Sequence, residues 1–167
     1  MNRINVLQVC NQLGVGGTEK ALQIFSESFD EGIFKVHVCG IMGGGEREKL
    51  LREKGFEVYV LNNDEQELIR LMRDKNIHIV HIHRAGHEEP FVIVAARKVN
   101  VPIIIETNVF GLVDNSKSGK LLDHHVFMSK MCALRYQRWM GISTEEFFKS
   151  HKVLYNPVNL DDFEKNK

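Results

Sequence analysis

Ile4-Asn5-Val6-Leu7-Gln8-Val9-Cys10 leads through Asn11-Gln12-Leu13 into the corner Gly14-Val15-Gly16-Gly17, and Thr18-Glu19-Lys20 then opens an amphipathic stretch. The order is strand, glycine turn, helix. A glycine turn at a helix N-terminus leaves unpaired backbone N–H groups aligned with the positive end of the helix dipole, which suits an anionic ligand and phosphate above all. Two familiar versions of the motif do not fit. A dinucleotide fingerprint needs Gly-x-Gly-x-x-Gly and an acidic residue closing the second strand; here the glycine spacing differs and the second strand ends Cys39-Gly40-Ile41-Met42. A nucleoside-triphosphate loop needs Gly-Lys-Ser or Gly-Lys-Thr, so that an ammonium and a hydroxyl meet phosphate and magnesium, whereas this corner continues Thr18-Glu19-Lys20. The plain alternative is a tight turn whose glycines permit close packing and nothing more.

Outward from the corner, apolar runs of strand length alternate with stretches of helical period, the pattern of a parallel sheet with helices on both faces. The reading is a single doubly wound α/β domain, Rossmann-like. Strands are expected at Ile4–Cys10, Lys35–Ile41, Glu57–Leu61, Ile77–His81, Ile103–Glu106, His125–Met128 and Lys152–Tyr155. Helices are expected at Thr18–Phe29, Glu46–Lys54, Asp64–Lys75, Pro90–Val99, Lys130–Met140 and Thr144–Ser150. In the first helix Ala21, Leu22, Phe25 and Phe29 share one face, as burial against a sheet requires. Two loops stand out as ligand-bearing candidates, the glycine-rich Met42–Gly45 and the segment Thr107–Asp123, which reads as mobile and surface-facing.

The chain has 167 residues, enough for a core without disulfides or metals. Lysine and arginine number 22 and so do aspartate and glutamate, so no long-range field draws nucleic acid, which is not expected as a partner. Cys10, Cys39 and Cys132 are odd in number and scattered, a usage that suits a reducing cytoplasm. No basic-then-apolar leader and no apolar run of membrane-spanning length is seen, which leaves peripheral contact at the inner membrane face open.

Four motifs together point further: Gly14-Val15-Gly16-Gly17-Thr18-Glu19-Lys20, Ile79-Val80-His81-Ile82-His83-Arg84, Ile103-Ile104-Ile105-Glu106-Thr107-Asn108-Val109-Phe110-Gly111, and Tyr155-Asn156-Pro157-Val158-Asn159-Leu160-Asp161-Asp162-Phe163. In this order they resemble the N-terminal half of family 4 (group 1) glycosyltransferases of the GT-B fold, in which two Rossmann-like domains face one another across a cleft. The resemblance implies an acceptor-binding domain over residues 1–155 and the start of an interdomain linker over 156–167, with the donor-binding domain absent. It implies a retaining, metal-independent transferase that needs no cofactor and uses a nucleotide-sugar as co-substrate. A sugar or lipid-linked acceptor and a C-terminal donor domain or partner subunit are the implied partners. Taken alone, the chain is expected to be an incomplete enzyme, and a non-catalytic sugar- or phosphate-binding module of the same fold is the competing reading.

By the same resemblance, the amides of Gly16 and Gly17, with Thr18, face the donor diphosphate or an acceptor phosphate, where preorganised N–H donors stabilise charge on a departing group. His83 and Arg84, at the carboxyl end of their strand, line the acceptor cleft. Many family members carry a histidine just after the strand Ile103–Glu106; this chain places Asn108 there, which hydrogen-bonds to a sugar hydroxyl but exchanges no proton. His81, His83 and His87 are not expected to form a metal site. His124 and His125 read as one solvated and one packed residue. Trp139 reads as a core residue between solvated Arg135 and Arg138, with contact to lipid headgroups as the alternative. A flavodoxin-like or response-regulator domain needs a carboxylate at a strand end, and only Glu106 is so placed.

Overall fold

A computed structural model describes residues 3–84 and 90–156. Its sheet has seven strands, all paired in parallel: β1 (Ile4–Gln12), β2 (Phe34–Gly43), β3 (Glu57–Val60), β4 (Ile79–Arg84), β5 (Ile103–Asn108), β6 (His124–Phe127) and β7 (His151–Val153). The helices are α1 (Gly17–Glu27), α2 (Glu46–Glu53), α3 (Glu65–Asp74), α4 (Pro90–Lys98), α5 (Lys130–Met140) and α6 (Thr144–Ser150). The Rossmann-like α/β expectation is met. Every expected strand and helix is present, with edges moved by a few residues.

The largest shift is in β4, which starts later and ends later than its apolar run suggests. Asn76 turns the chain at positive φ, and the amide of Asn5 donates to Nδ1 of His78 at 3.0 Å, so the ladder begins only after His78. At the other end His83 and Arg84 pair with Thr107 and Asn108, which extends both β4 and β5 through polar residues.

The strand order β3-β2-β1-β4-β5-β6-β7 places β1 and β4 side by side although the chain leaves them in opposite directions. Their carboxyl ends therefore form the switch point where open α/β sheets open a crevice. The main core lies on one face, where Leu7, Val9, Val80, Ile82 and Ile104 meet apolar residues of α3 and α4. The other face packs Leu22 of α1 and Leu51 of α2 against Cys10, Val38 and Val58. Burial pushes the Cys10 thiol up to about 12, so it serves as a small apolar residue. Among the described residues no helix is long and apolar enough to cross a membrane. His87 and the segment after Asn156, on which part of the reading rested, lie outside the described residues.

Candidate functional site

The glycine corner sits at the switch point, directly after β1. Gly16 is the N-cap of α1 and receives no side-chain cap, and Gly16 and Gly17 are both exposed. The first amide of the helix to find a backbone carbonyl is that of Lys20, which donates to Gly16 at 3.0 Å. A Cβ built on Gly17 meets nothing within 4 Å, so the space before it is open. Over Gly16 the situation differs. The carboxylate of Glu19 folds back across it, filling the place an added Cβ would take. The corner thus carries an acidic group of its own, placed where the dipole favours negative charge.

A second glycine corner supports the first from behind. The amide of Leu13 donates to Gly43 at 3.3 Å and that of Arg47 donates to Leu13 at 3.0 Å. A Cβ on Gly45 would lie 2.6 Å from the carbonyl oxygen of Leu13 and 3.1 Å from Cα of Gly14. The two corners touch backbone to backbone, which only glycine allows. Arg47 completes the brace: its buried side chain donates Nε to the Gly14 carbonyl at 3.0 Å and hydrogen-bonds to Gln23 of α1. Sequence reading missed Arg47, because its partners stand far away along the chain. Gly45→Ala is expected to force the corners apart and cost about 1–3 kcal/mol, read as a lowered midpoint in urea denaturation.

His83, Arg84 and Asn108 come to the same edge of the sheet, but their side chains turn inward. Each of the three, expected to line the cleft, is almost fully buried within the domain. Nε2 of His83 donates to Oε1 of Gln8 at 2.6 Å, and its ring lies 4.3 Å from that of His81, which shares its face of β4. His81 in turn bonds Oγ1 of Thr107 at 2.7 Å. Burial lowers His81 to about 4, and burial with His81 as neighbour holds His83 well below the usual imidazole range. Both rings are neutral.

Asn108 is a latch. Its Oδ1 accepts from the amide of Gly111 at 2.8 Å and its Nδ2 donates to the carbonyl of Leu112 at 2.7 Å. Both ends of the amide are engaged by the loop that follows. Arg84 pairs with Glu106 at 3.1 Å and with Asp114 at 3.0 Å, all three buried. Asp114 also accepts from the amide of Ser116 at 2.9 Å. Of the segment Thr107–Asp123, expected to be mobile and surface-facing, Thr107 and Asn108 belong to β5, and the loop that follows is held from beneath by Asn108 and Arg84. Gly111, at φ +68, packs so tightly on the carbonyl of Cys132 that no side chain fits.

The paired-histidine reading holds: His124 is exposed, while His125 packs at 4.8 Å on His151 and at 5.3 Å on Tyr136. Trp139 reverses its expectation. It is 74% exposed, because the core-facing stripe of α5 runs through Ala133 and Tyr136, and β6 and β7 are too short to floor the helix's far end.

Against this geometry, known structures share the fold. MurG of Acinetobacter baumannii superposes with a TM-score of 0.66 at 12% identity, covering 95% of this chain and 47% of its own. An alpha-glucosyltransferase solved in complex with UDP and a 13-mer DNA containing an HMU base gives 0.62 at 12% identity, with 99% and 45% covered. The UDP-GlcNAc 2-epimerase of Neisseria meningitidis, bound to UDP-GlcNAc, gives 0.56 at 14% identity, with 90% and 45% covered. These are proteins of the GT-B fold, and the chain spans about half the length of each. The fold is one Rossmann-like half of that architecture. No family model and no curated protein matches the sequence.

Proposed function

We propose that this chain is the acceptor-binding half of a retaining glycosyltransferase whose donor is a nucleotide-sugar, and that the Gly16-Gly17-Thr18 corner receives a phosphate group. The observation that carries the reading is the uncapped start of α1, with Gly16 and Gly17 exposed at the switch point between β1 and β4. Two of the fold neighbours are described with UDP or UDP-GlcNAc bound, which favours a uridine diphosphate sugar as donor. His83, Arg84 and Asn108 serve the site from below, as the floor and latch of the crevice rather than as contacts. Glu19 is the resident anion that an incoming phosphate displaces.

Titration of the chain with UDP, followed through backbone amide resonances, tests this. The expected result is shifts centred on Gly16, Gly17 and Thr18. Gly17→Val keeps the backbone amide but fills the open space before it, and is expected to block these shifts and weaken binding by at least about 10-fold, as excluding the ligand from one charge-assisted hydrogen bond does. Glu19→Gln is expected to tighten binding about 3-fold by removing a competing charge from the helix start. Shifts elsewhere, or none, would sink the phosphate reading. The competing reading, a non-catalytic binding module, is favoured by the engagement of Asn108 within its own loop. Supplying a donor-binding half in trans separates the two: sugar transfer that Gly17→Val abolishes supports the transferase, and binding without turnover supports the module.

A further inference from the structure

The outer face of α5 departs from the rest of the surface. Met131 is 77% exposed and Trp139 74%, with Leu134 half-exposed between them. Arg135 and Arg138 share that face, interleaved with the apolar side chains, while Ala133 and Tyr136 point to the core. Between Asp123 and Glu145 the sequence contains no acidic residue, in a chain whose charges otherwise balance. Phe110, exposed in the anchored loop, adjoins the face, and its carbonyl accepts from Arg135 at 3.5 Å.

We propose that this face docks on an anionic lipid bilayer. The apolar side chains enter the headgroup boundary, where an indole is especially well placed, while the guanidinium groups of Arg135 and Arg138 reach lipid phosphates. The arrangement of charge decides the occupant. A dry protein interface keeps charge to its rim and depletes lysine at its centre, but here the cations run through the middle of the patch, and a protein partner would bury them unless it supplied matching acids. A second copy of the chain would bring cations against cations. Lipid phosphates satisfy the cations without excluding water. The geometry adds an orientation: Phe110 and Met131 follow the carboxyl ends of β5 and β6, so that end of the docked face lies on the crevice side of the sheet while Trp139 lies at the far end of α5. The inference needs only the exposed face and holds or fails independently of the transferase reading.

Trp139 is the chain's single tryptophan, so its emission reports on this face alone. The full chain is mixed with vesicles of phosphatidylcholine containing phosphatidylglycerol, and in parallel with pure phosphatidylcholine. A blue shift with the anionic vesicles, quenching by brominated lipid and reversal by salt are expected. Each cation near an anionic surface strengthens partitioning about fivefold, so reversing two with R135E/R138E weakens it by at least roughly 100-fold, while R135K/R138K binds like the parent. Circular dichroism confirms that the variants fold. No shift with anionic vesicles would overturn the proposal, as would an equal shift with the Glu variant. A shift that appears with protein concentration in the absence of lipid would overturn it in favour of self-association.

Discussion

Between pH 7 and pH 5 the domain is expected to lose about 4 kcal/mol of stability, a large part of what a domain this size possesses. The cause is histidine held neutral inside the fold. Burial lowers His81 to about 4, and burial with His125 beside it lowers His151 to about 4. His81 lies edge-on at 5.7 Å to Phe25, and His151 stacks at 4.3 Å on Phe147. The sign follows from proton counting. Well above pH 6.5 neither state binds a proton at these sites, and stability is flat. As pH falls below 6.5 the unfolded chain protonates while the folded one does not, so stability drops until the folded groups titrate near 4. Each of the two contributes about 2 kcal/mol at pH 5, and His83, shifted in the same direction, steepens the loss. Glu57, held well below its usual range first by Lys35 and Lys75, adds its loss only at lower pH, below the ordinary glutamate range. Urea denaturation at pH 7, 6 and 5 measures the effect, and His81→Gln, which keeps a partner for Thr107, should remove the His81 share, about 2 kcal/mol of the loss at pH 5. Coincident curves at pH 7 and pH 5 would show that the rings protonate in place and that water reaches them.

The elements of this fold were legible in the sequence because local signals agreed with one another. Ser129 and Ser143 accept from the amides of Cys132 and Glu146, and Gly141 closes α5 at φ +65, so α5 and α6 begin, and α5 ends, where capping residues predict. The site was legible only as far as the backbone carries it. Gly16 and Gly17 lie where the glycine corner places them, but spacing along the chain says nothing of the Glu19 side chain folding over one of them. Arg47 gave no signal, since its role depends on Gly14 and Gln23 arriving beside it. Trp139 was misread for a related reason: helical period ranks faces, and the sequence does not show that the sheet edge ends before it reaches the last turn of α5. For Glu106 a signal was present, because a carboxylate that ends a run of three isoleucines on a buried strand requires a partner.

That partnership gives the second large effect. Arg84, Glu106 and Asp114 form a buried triad in which Arg84 spans β5 and the following loop, with Nδ1 of His125 3.4 Å from Glu106. Burial works against the guanidinium's charge, yet the two carboxylates outweigh it and hold Arg84 above its ordinary value. A buried ion pair is costly to assemble and costlier to break, because removing one partner strands the other. Glu106→Leu is expected to destabilise the domain by about 3–5 kcal/mol. Asp114→Asn keeps a partial acceptor for Arg84 and costs less, but it frees the loop, and amide exchange from Val109 to Gly119 should accelerate while the strands stay protected. Replacing the triad together, as Arg84→Met, Glu106→Leu and Asp114→Leu, removes every stranded charge and should recover most of the stability lost in Glu106→Leu, as apolar substitutes do for other buried triads. What the triple variant should not recover is loop order, since Ser116 loses the Asp114 carboxylate that holds its amide. Stability restored with fast exchange in the loop would show that the triad exists to position the crevice wall. Slow exchange in the triple variant would assign that work to Asn108 alone.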